Sequence, residues 1–301
     1  SPIFSDNVPK KSDATIALLE QNGAIPIAKS NVPEWAGGHT FNPVFGTTLN
    51  PWNTNMSAGG SSGGSAVALA TGMAWLATGN DLGGSLRTPA AFNNVVGLRP
   101  SIGVVPRGQR LQPFDTLWVE GPMARSVKDA IRLQNVMCGP SSRDIATLRP
   151  KLTLPYDYEP IKDWKIAYSP NLGCFEVDSE VEKNTVETLE VFKSLGATVE
   201  EVDLGWGPEI LDAGLAYLGH IFGAAMQDEL EQHADKLTTY AKAFAEESLN
   251  STSREFLGSL DVAYQMYTTL GPILDKYNIL ICPTTAIPAV PAEFDPTKDN
   301  L

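Results

Sequence analysis

Hydrophobic residues recur at helical or strand spacing through much of the chain, and glycine or proline marks the point where each run ends. The first run predicts a short helix over Asp13–Asn22, capped by Ser12 or Asp13 and closed by Gly23. Ala24–Ala28 is a short β-prone run. The stretch Gly37–Asn55 is rich in Gly, Asn, Thr and Pro without a sustained period, so it is predicted to be irregular.

A second clear helix is predicted to begin at Ser126. Ser126 and Asp129 have the spacing of a capping box, an apolar stripe follows, and Gly139 ends the pattern. The region Ser101–Gly121 before it has no such periodicity and is predicted to be mostly loop.

The order strand, helix, strand is predicted in the middle of the chain. Trp164–Tyr168 has the pattern of a strand, Ser179–Leu195 that of a helix stopped by Gly196, and Ala197–Leu204 that of another strand. This order indicates a right-handed crossover between parallel strands.

From Glu209 to about Leu270 the spacing is helical, and several large apolar side chains fall on one face, where we expect them to pack in a core. These are Leu211, Leu215, Leu218 and Phe222, with Tyr217, Tyr240, Phe244, Phe256, Tyr264 and Tyr267 as further aromatic residues of the region. Asn278–Cys282 is predicted to be a buried strand. Together the elements predict the α/β class, with a mixed sheet covered by helices on both faces.

One stretch departs from these patterns. Ser57–Pro100 contains two loops rich in glycine and serine, separated by the small apolar run Ser65–Leu76, which predicts a buried helix and strand. Glycine loses more backbone entropy on folding than any other residue, so such density is costly unless the backbone must approach something closely. Two polar loops on a rigid apolar support therefore indicate an active site.

Composition and charge exclude several classes of binding partner. The 301 residues carry a formal net charge of -13, which argues against nucleic acid or an anionic membrane as the main partner. No apolar run is long enough to cross a bilayer, and the start shows no signal peptide. Cys138, Cys174 and Cys282 are too scattered for a disulfide framework or a zinc site, which predicts reduced thiols in a cytoplasmic protein. We expect neither a metal nor an organic cofactor.

The glycine-rich loops are compatible with several chemistries. The spacings of a Walker loop and of a dinucleotide-binding fingerprint are both missing. Gly60-Ser61-Ser62-Gly63-Gly64 matches the nucleophile elbow GxSxG, with Ser62 at its centre and His220 or His233 as the base. A third interpretation makes Ser85 the nucleophile, because the amides of Gly83 and Gly84 can form an oxyanion hole and Ser61 can relay a proton to a lysine.

A specific resemblance favours the third interpretation. The segments GGSSGGSAVALATG and GNDLGGSLRTPAAFNNVVGLRPSIG resemble the signature of the amidase signature family, and the flanking DATIALLEQNGAIPIAKSNVPEW, FGTTLNPWN, GPMARSVKDAIRL and LICPTTAIPAVP resemble its neighbouring segments. The resemblance implies one α/β/α domain over residues 1–301 around a large mixed sheet. Residues 57–100 would be the signature core, and 141–301 a helix-rich second half lining the pocket.

The resemblance also implies roles for individual residues. Ser85 would be the acylated nucleophile and Ser61 the bridging serine of a Ser–cis-Ser–Lys triad, on a cis peptide bond with Gly60. The implied oxyanion hole consists of the backbone N–H groups of Leu82, Gly83, Gly84 and Ser85. Three residues would have supporting roles, namely Ser62, Asp81 and Arg87.

The family's catalytic lysine belongs to a segment that would precede Ser1, and the family's last strands and helix would follow Leu301, so we expect a chain that lacks both. The implied reaction is hydrolysis of a carboxylic acid amide, with a small aryl, aliphatic or oligomeric amide and water as partners rather than misacylated tRNA. Two alternatives stay open: a catalytically inactive amidase-like scaffold and an esterase of the α/β-hydrolase type using Ser62. A homodimer is an open alternative for the oligomeric state.

Overall fold

A computed structural model describes residues 1–108, 115–295 and 297–298, and in these ranges the chain forms helices and three small β-sheets. The helices are α1 (Ala14–Gln21), α2 (Gly63–Ala70), α3 (Arg87–Asn93), α4 (Val127–Met137), α5 (Ser179–Ser194), α6 (Glu209–Leu218), α7 (Gln227–His233), α8 (Thr239–Ser248) and α9 (Ser253–Lys276). The strands are β1 (Phe41–Asn42), β2 (Gly46–Thr47), β3 (Leu76–Asp81), β4 (Val96–Gly97), β5 (Val119–Ala124), β6 (Lys165–Tyr168), β7 (Thr198–Glu201) and β8 (Ile279–Ile281). The predicted α/β class is confirmed.

The parallel and antiparallel pairings lie in different sheets. Strands β3, β5 and β4 form an antiparallel sheet with β5 in the centre, and β1 pairs with β2 in an antiparallel hairpin. Strands β7, β6 and β8 form a parallel sheet with β6 in the centre. The predicted parallel pairing around the helix of residues 179–194 is therefore present, from Lys165 opposite Thr198 to Tyr168 opposite Glu201.

The predicted helix ends follow local capping chemistry. The Asp13 carboxylate accepts the N–H of Thr15 at the start of α1, and Gly23 takes φ +85° beyond its end. The Ser126 hydroxyl accepts the N–H of Asp129 at the start of α4, and Gly196 takes φ +93° after α5. Polar caps and positive-φ glycines thus fix the limits of these helices.

Three local predictions were wrong. Ala24–Ala28 forms no strand with any described residue, and Ile25 is exposed. The stretch Gly37–Asn55, predicted to be irregular, contains the hairpin of β1 and β2. Leu215 and Tyr264 are 60% and 69% exposed, so α6 and α9 bury only part of their apolar residues.

The chain divides into two compact units. The first contains residues 1–157, 231–242 and 289–301, and the second contains residues 158–230 and 243–288. In the first unit a fully apolar cluster joins α2, α3 and β5, and it consists of Ala66, Leu69, Leu86, Ala90 and Met123. In the second unit Ile166 and Ala167 of β6 are completely buried. None of the helices in the described ranges is both long and apolar enough to span a membrane.

A buried arginine organises the segment before β5. The Arg107 guanidinium donates to the carbonyl oxygen of Trp118 over 2.7 Å and lies 3.4 Å from the Asp115 carboxylate. Its backbone N–H donates to the Asp144 carboxylate over 2.7 Å. Glu120 lies in β5, and its carboxylate accepts the indole N–H of Trp118 over 3.3 Å.

Burial raises the pKa of Glu120 to about 7, and the negative charge of Asp13 acts in the same direction, against the hydrogen bond from Trp118 and the charge of Arg107. The native state therefore keeps a proton on Glu120 between pH 4.5 and 7, where the unfolded chain releases it. Since the native state then binds more protons, the free energy of unfolding contributed by Glu120 falls as pH rises through this window.

Replacing Glu120 by glutamine should remove this fall in the free energy of unfolding with rising pH. We expect the stability of Glu120→Gln relative to the wild type to increase as pH rises from 4.5 to 7, measured by urea unfolding across this range. Glu159→Gln, at an exposed glutamate, is the matched control. A constant difference between Glu120→Gln and the wild type across the window would contradict the assignment.

Candidate active site

The two Gly/Ser loops are both anchored on the apolar cluster of the first unit. The first loop, residues 57–62, leads into α2, and the second, residues 82–86, joins β3 to α3. The cluster includes residues of both helices and of β5, which pairs with β3 along its whole length. The strand and two helices therefore fix the distance between the loops. Of the buried helix and strand predicted over Ser65–Leu76, the helix is present, but Met73 and Trp75 are exposed and the strand begins only at Leu76.

Asp81, the last residue of β3, organises the second loop. Its side chain is 0% exposed, and its two carboxylate oxygens accept the backbone N–H groups of Gly84 (2.8 Å) and Leu86 (3.1 Å). The Arg87 guanidinium donates to both oxygens over 2.9 Å, in a bidentate pair. Arg99 lies 3.4 Å from the same carboxylate.

The protonation state of Asp81 follows from these contacts. Burial alone would raise the pKa of the Asp81 carboxyl. The hydrogen bonds and charge of Arg87, together with the amides of Gly84 and Leu86, outweigh burial and hold this pKa below its usual value. Asp81 is therefore a buried carboxylate that shapes the loop, and the predicted Asp81–Arg87 pair is present.

The second loop places Ser85 at a partly exposed position between Gly84 and the buried Leu86. Gly84 has φ +110°, and a Cβ there would crowd the Thr88 hydroxyl, so this position requires glycine. The Gly84 carbonyl accepts the N–H of Thr88 over 2.7 Å, which joins the loop to the start of α3.

A backbone hydrogen bond joins the two loops directly. The N–H of Ser62 donates to the carbonyl oxygen of Ser85 over 3.2 Å, so the residue next to Ser61 is bonded to the predicted nucleophile. The peptide bond between Gly60 and Ser61 is cis, in agreement with the expectation. Ser61 is 1% exposed.

The amides predicted to form the oxyanion hole are not equivalent. The N–H of Gly84 already has a protein acceptor, because it donates to the buried Asp81 carboxylate over 2.8 Å. In the part of the chain that the structure describes, the N–H groups of Leu82, Gly83 and Ser85 donate to no protein acceptor. Three of the four predicted donors are thus open to a ligand.

The predicted supporting role of Ser62 is a contact between the loop and β3. Its hydroxyl donates to the carbonyl oxygen of Asn80 over 3.4 Å, and a Cβ at Gly79 would collide with the Ser62 side chain. The nucleophile-elbow alternative also needs a strand directly before Ser62. Among the described residues just before Ser62, Met56 and Ser57 form isolated β-bridges, but none belongs to a strand.

The two histidines of that alternative are in helical segments. His220 accepts or donates a hydrogen bond of 2.8 Å between Nδ1 and the Ser251 hydroxyl, and it stacks on Phe256. His233 ends α7. Among the described residues no group of three or more His, Cys, Asp or Glu side chains could hold a metal ion.

Sequence reasoning missed several residues that hold the site. Arg99 provides the second guanidinium beside Asp81, and it lies in the quoted GLRP segment without having been singled out. Asn93 is completely buried and donates to the carbonyls of Ala58 and Pro89, which joins α3 to the first loop. Thr40, remote in sequence, hydrogen-bonds the same loop. Only the fold could reveal these partners, since Arg99 and Asp81, Thr40 and Gly59, and Asn93 and Ala58 are 18, 19 and 35 residues apart and have no local pattern.

Comparison with known proteins agrees with this geometry. The family model described as Amidase matches residues 1–300. An acylamidase of Rhodococcus erythropolis is 32% identical over 302 residues, covering 98% of this chain and 63% of that protein. A glutamyl-tRNA(Gln) amidotransferase subunit from Sulfurisphaera tokodaii is 38% identical over 214 residues, covering 71% of this chain and 45% of that protein.

The solved structure of a bacterial aryl acylamidase of the amidase signature family superposes with a TM-score of 0.88 at 29% identity, covering 95% of this chain and 61% of that one. The chain therefore spans roughly half to two thirds of the length of the proteins that it matches.

We expect Asp81→Asn to destabilise the protein by about 2 kcal/mol or more, because the neutral amide leaves Arg87 and two loop amides without a buried anionic acceptor. Urea unfolding measures the loss. Asp129→Asn is the matched control, since it removes the exposed ion pair with Arg132 and should cost less than about 1 kcal/mol. Equal losses in the two variants would contradict the role given to Asp81.

Proposed function

Because the chain belongs to the amidase signature family, we propose that it hydrolyses carboxylic acid amides through an acyl-enzyme on Ser85. The observation that carries the proposal is the second loop itself. Asp81 holds it so that Ser85 is partly exposed, with the amides of Leu82, Gly83 and Ser85 open beside it. A nucleophile next to unoccupied backbone donors is the arrangement that acyl transfer requires.

In the proposed reaction the Ser85 hydroxyl oxygen attacks the amide carbon while its proton passes to Ser61. Ser61 gives up its own proton to a base, which the family resemblance assigns to a lysine in a segment preceding Ser1. The carbonyl oxygen becomes an oxyanion, and the amides of Leu82, Gly83 and Ser85 stabilise it. The C–N bond then breaks, and the departing nitrogen takes the proton from the base.

Water completes the cycle in the reverse sense. It attacks the Ser85 ester and loses a proton along the same relay, and the Ser85 oxygen takes a proton back as the carboxylic acid departs. Ser62, Asp81 and Arg87 keep the two loops in place and exchange no proton in this scheme. Neither a metal ion nor an organic cofactor takes part in any step.

For the substrate we propose a small aryl or aliphatic amide, including oligomeric amides, in preference to misacylated tRNA. The solved aryl acylamidase structure superposes with a TM-score of 0.88, whereas that of a glutamyl-tRNA(Gln) amidotransferase subunit from Thermotoga maritima superposes with a TM-score of 0.79. The net charge of -13 also disfavours a polyanionic tRNA partner. A cytoplasmic location belongs to the same proposal.

The competing hypothesis is an amidase-like scaffold without activity, and a serine-directed probe separates the two. In the protein with the segment that carries the lysine, a fluorophosphonate should form a phosphonyl ester at Ser85 with loss of fluoride, detected by intact mass and peptide mapping. Ser85→Ala should reduce labelling by about a thousandfold. Ser62→Ala is the matched control and should retain most of it.

Labelling that survives in Ser85→Ala and disappears in Ser62→Ala would instead favour the esterase alternative. A wild-type chain that is not labelled at any serine would favour the inactive scaffold.

The substrate class has its own test. We expect the rate of hydrolysis of an anilide or a simple aliphatic amide to exceed that of free glutamine, which is the ammonia donor of amidotransferases, when product acid is measured at equal concentrations. Ser85→Ala supplies the background. Faster hydrolysis of glutamine would overturn the assignment to small aryl or aliphatic amides while leaving the amidase mechanism in place.

A further inference from the structure

We infer that Thr40 is a positioning residue for Ser61, and this inference rests on the proposed function of the Ser61–Ser85 pair. Thr40 directly precedes β1, in a segment that contains none of the residues predicted to take part in the reaction. It is 1% exposed. A buried hydroxyl must find partners within the protein, and the partners of this one surround the Gly60–Ser61 peptide.

The Thr40 hydroxyl makes contacts on both sides of that peptide. It lies 2.8 Å from the carbonyl oxygen of Gly59 and 3.2 Å from that of Ser61, the two acceptors available to its single proton. Its oxygen accepts the backbone N–H of Gly63 over 3.0 Å. The Thr40 backbone N–H also donates to the Gly59 carbonyl over 3.0 Å.

The contact with Gly63 gives the first amide of α2 an acceptor. Gly63 is the first residue of α2, and the first amides of a helix have no partner within it. Ser62 occupies the N-cap position but makes no capping hydrogen bond, because its hydroxyl points to the carbonyl of Asn80. Thr40 therefore supplies, from a segment distant in sequence, an acceptor for the first amide of α2, while the Ser62 side chain caps none of the first amides.

Steric packing makes the same contact specific. A Cβ at Gly63 would collide with the Thr40 hydroxyl and Cβ, and a Cβ at Gly60 would collide with the carbonyl of Gly38 and the Cα of His39. His39 adds a further contact, since its Nδ1 lies 3.1 Å from the Ser57 hydroxyl, which accepts the N–H of Gly59. The segment 38–40 thus forms a rigid backing for the first loop.

One backbone hydrogen bond connects this part of the first loop to the proposed nucleophile. Ser62 follows directly on the carbonyl that Thr40 holds, and its N–H donates to the Ser85 carbonyl over 3.2 Å. A shift of the Ser61 carbonyl therefore changes both the direction of the Ser61 hydroxyl and the link to Ser85. Thr40 acts on the reaction through Ser61 and not by contact with the reacting atoms.

The test uses the protein with the segment that carries the lysine, as wild type and as three variants, and treats each with a fluorophosphonate. It separates the maximal rate of phosphonylation from the concentration that gives half that rate. We expect Thr40→Val, which keeps the shape and removes the hydroxyl, to lower the maximal rate by about 10²-fold with little change in the half-saturating concentration. Thr40→Ser should restore it. Thr71→Val is the control, because Thr71 is exposed and loses one hydrogen bond at the other end of α2.

If Thr40 only stabilised the fold, Thr40→Val would change the fraction of labelled protein and not the rate of labelling. Partial unfolding of Thr40→Val would lower the final fraction of labelled protein and leave the rate of the labelled molecules unchanged, which would overturn the inference. An unchanged maximal rate in Thr40→Val, with Ser85 labelled normally in the wild type, would overturn it while sparing the proposed function. If wild-type Ser85 is not labelled, the proposed function fails and this inference fails with it.

Discussion

The buried carboxylate of Asp81 is the constraint on which the second loop depends. An ionised group without solvent is costly unless it is paired and hydrogen-bonded, and here two arginines and two backbone amides surround it. The same bonds determine which loop amides are occupied. Since the Gly84 N–H points to Asp81, the loop donors without a protein acceptor in the described part of the chain are those of Leu82, Gly83 and Ser85.

The first loop depends on a second, neutral arrangement. Thr40, Asn93 and Ser57 each bond one part of residues 57–63, and all three are buried. Glycine at positions 60 and 63 lets the segment 38–40 come into direct contact with the loop. Close approach therefore explains the glycines at positions 60, 63 and 64, whereas a Cβ at Gly83 would have no neighbouring atom within 4 Å, so that this glycine needs another explanation.

Sequence reasoning succeeded where the determinants are local. The caps at Asp13 and Ser126, the glycine after α5 and the parallel pairing of β6 with β7 follow from residue type and spacing. Ala24–Ala28 failed because strand propensity needs a partner strand, which short-range pattern does not reveal. The exposure of Leu215 and Tyr264 was missed for the same reason, since periodicity defines a helix face but not what covers it. In the site, Asp81 and Arg87 are six residues apart in the sequence and could be paired from it. Arg99 and Thr40 instead contact residues that are distant in the sequence, and only the fold brings them together.

The most direct test of the account is a crystal structure of the chain after reaction with phenylmethylsulfonyl fluoride, in which a serine oxygen displaces fluoride from sulfur. We predict a sulfonyl group on the Ser85 oxygen, with one sulfonyl oxygen within hydrogen-bonding distance of the amides of Leu82, Gly83 or Ser85. The Gly84 amide should remain bonded to Asp81. An adduct on Ser62, or a sulfonyl group on Ser85 whose oxygens point away from these amides, would contradict the account.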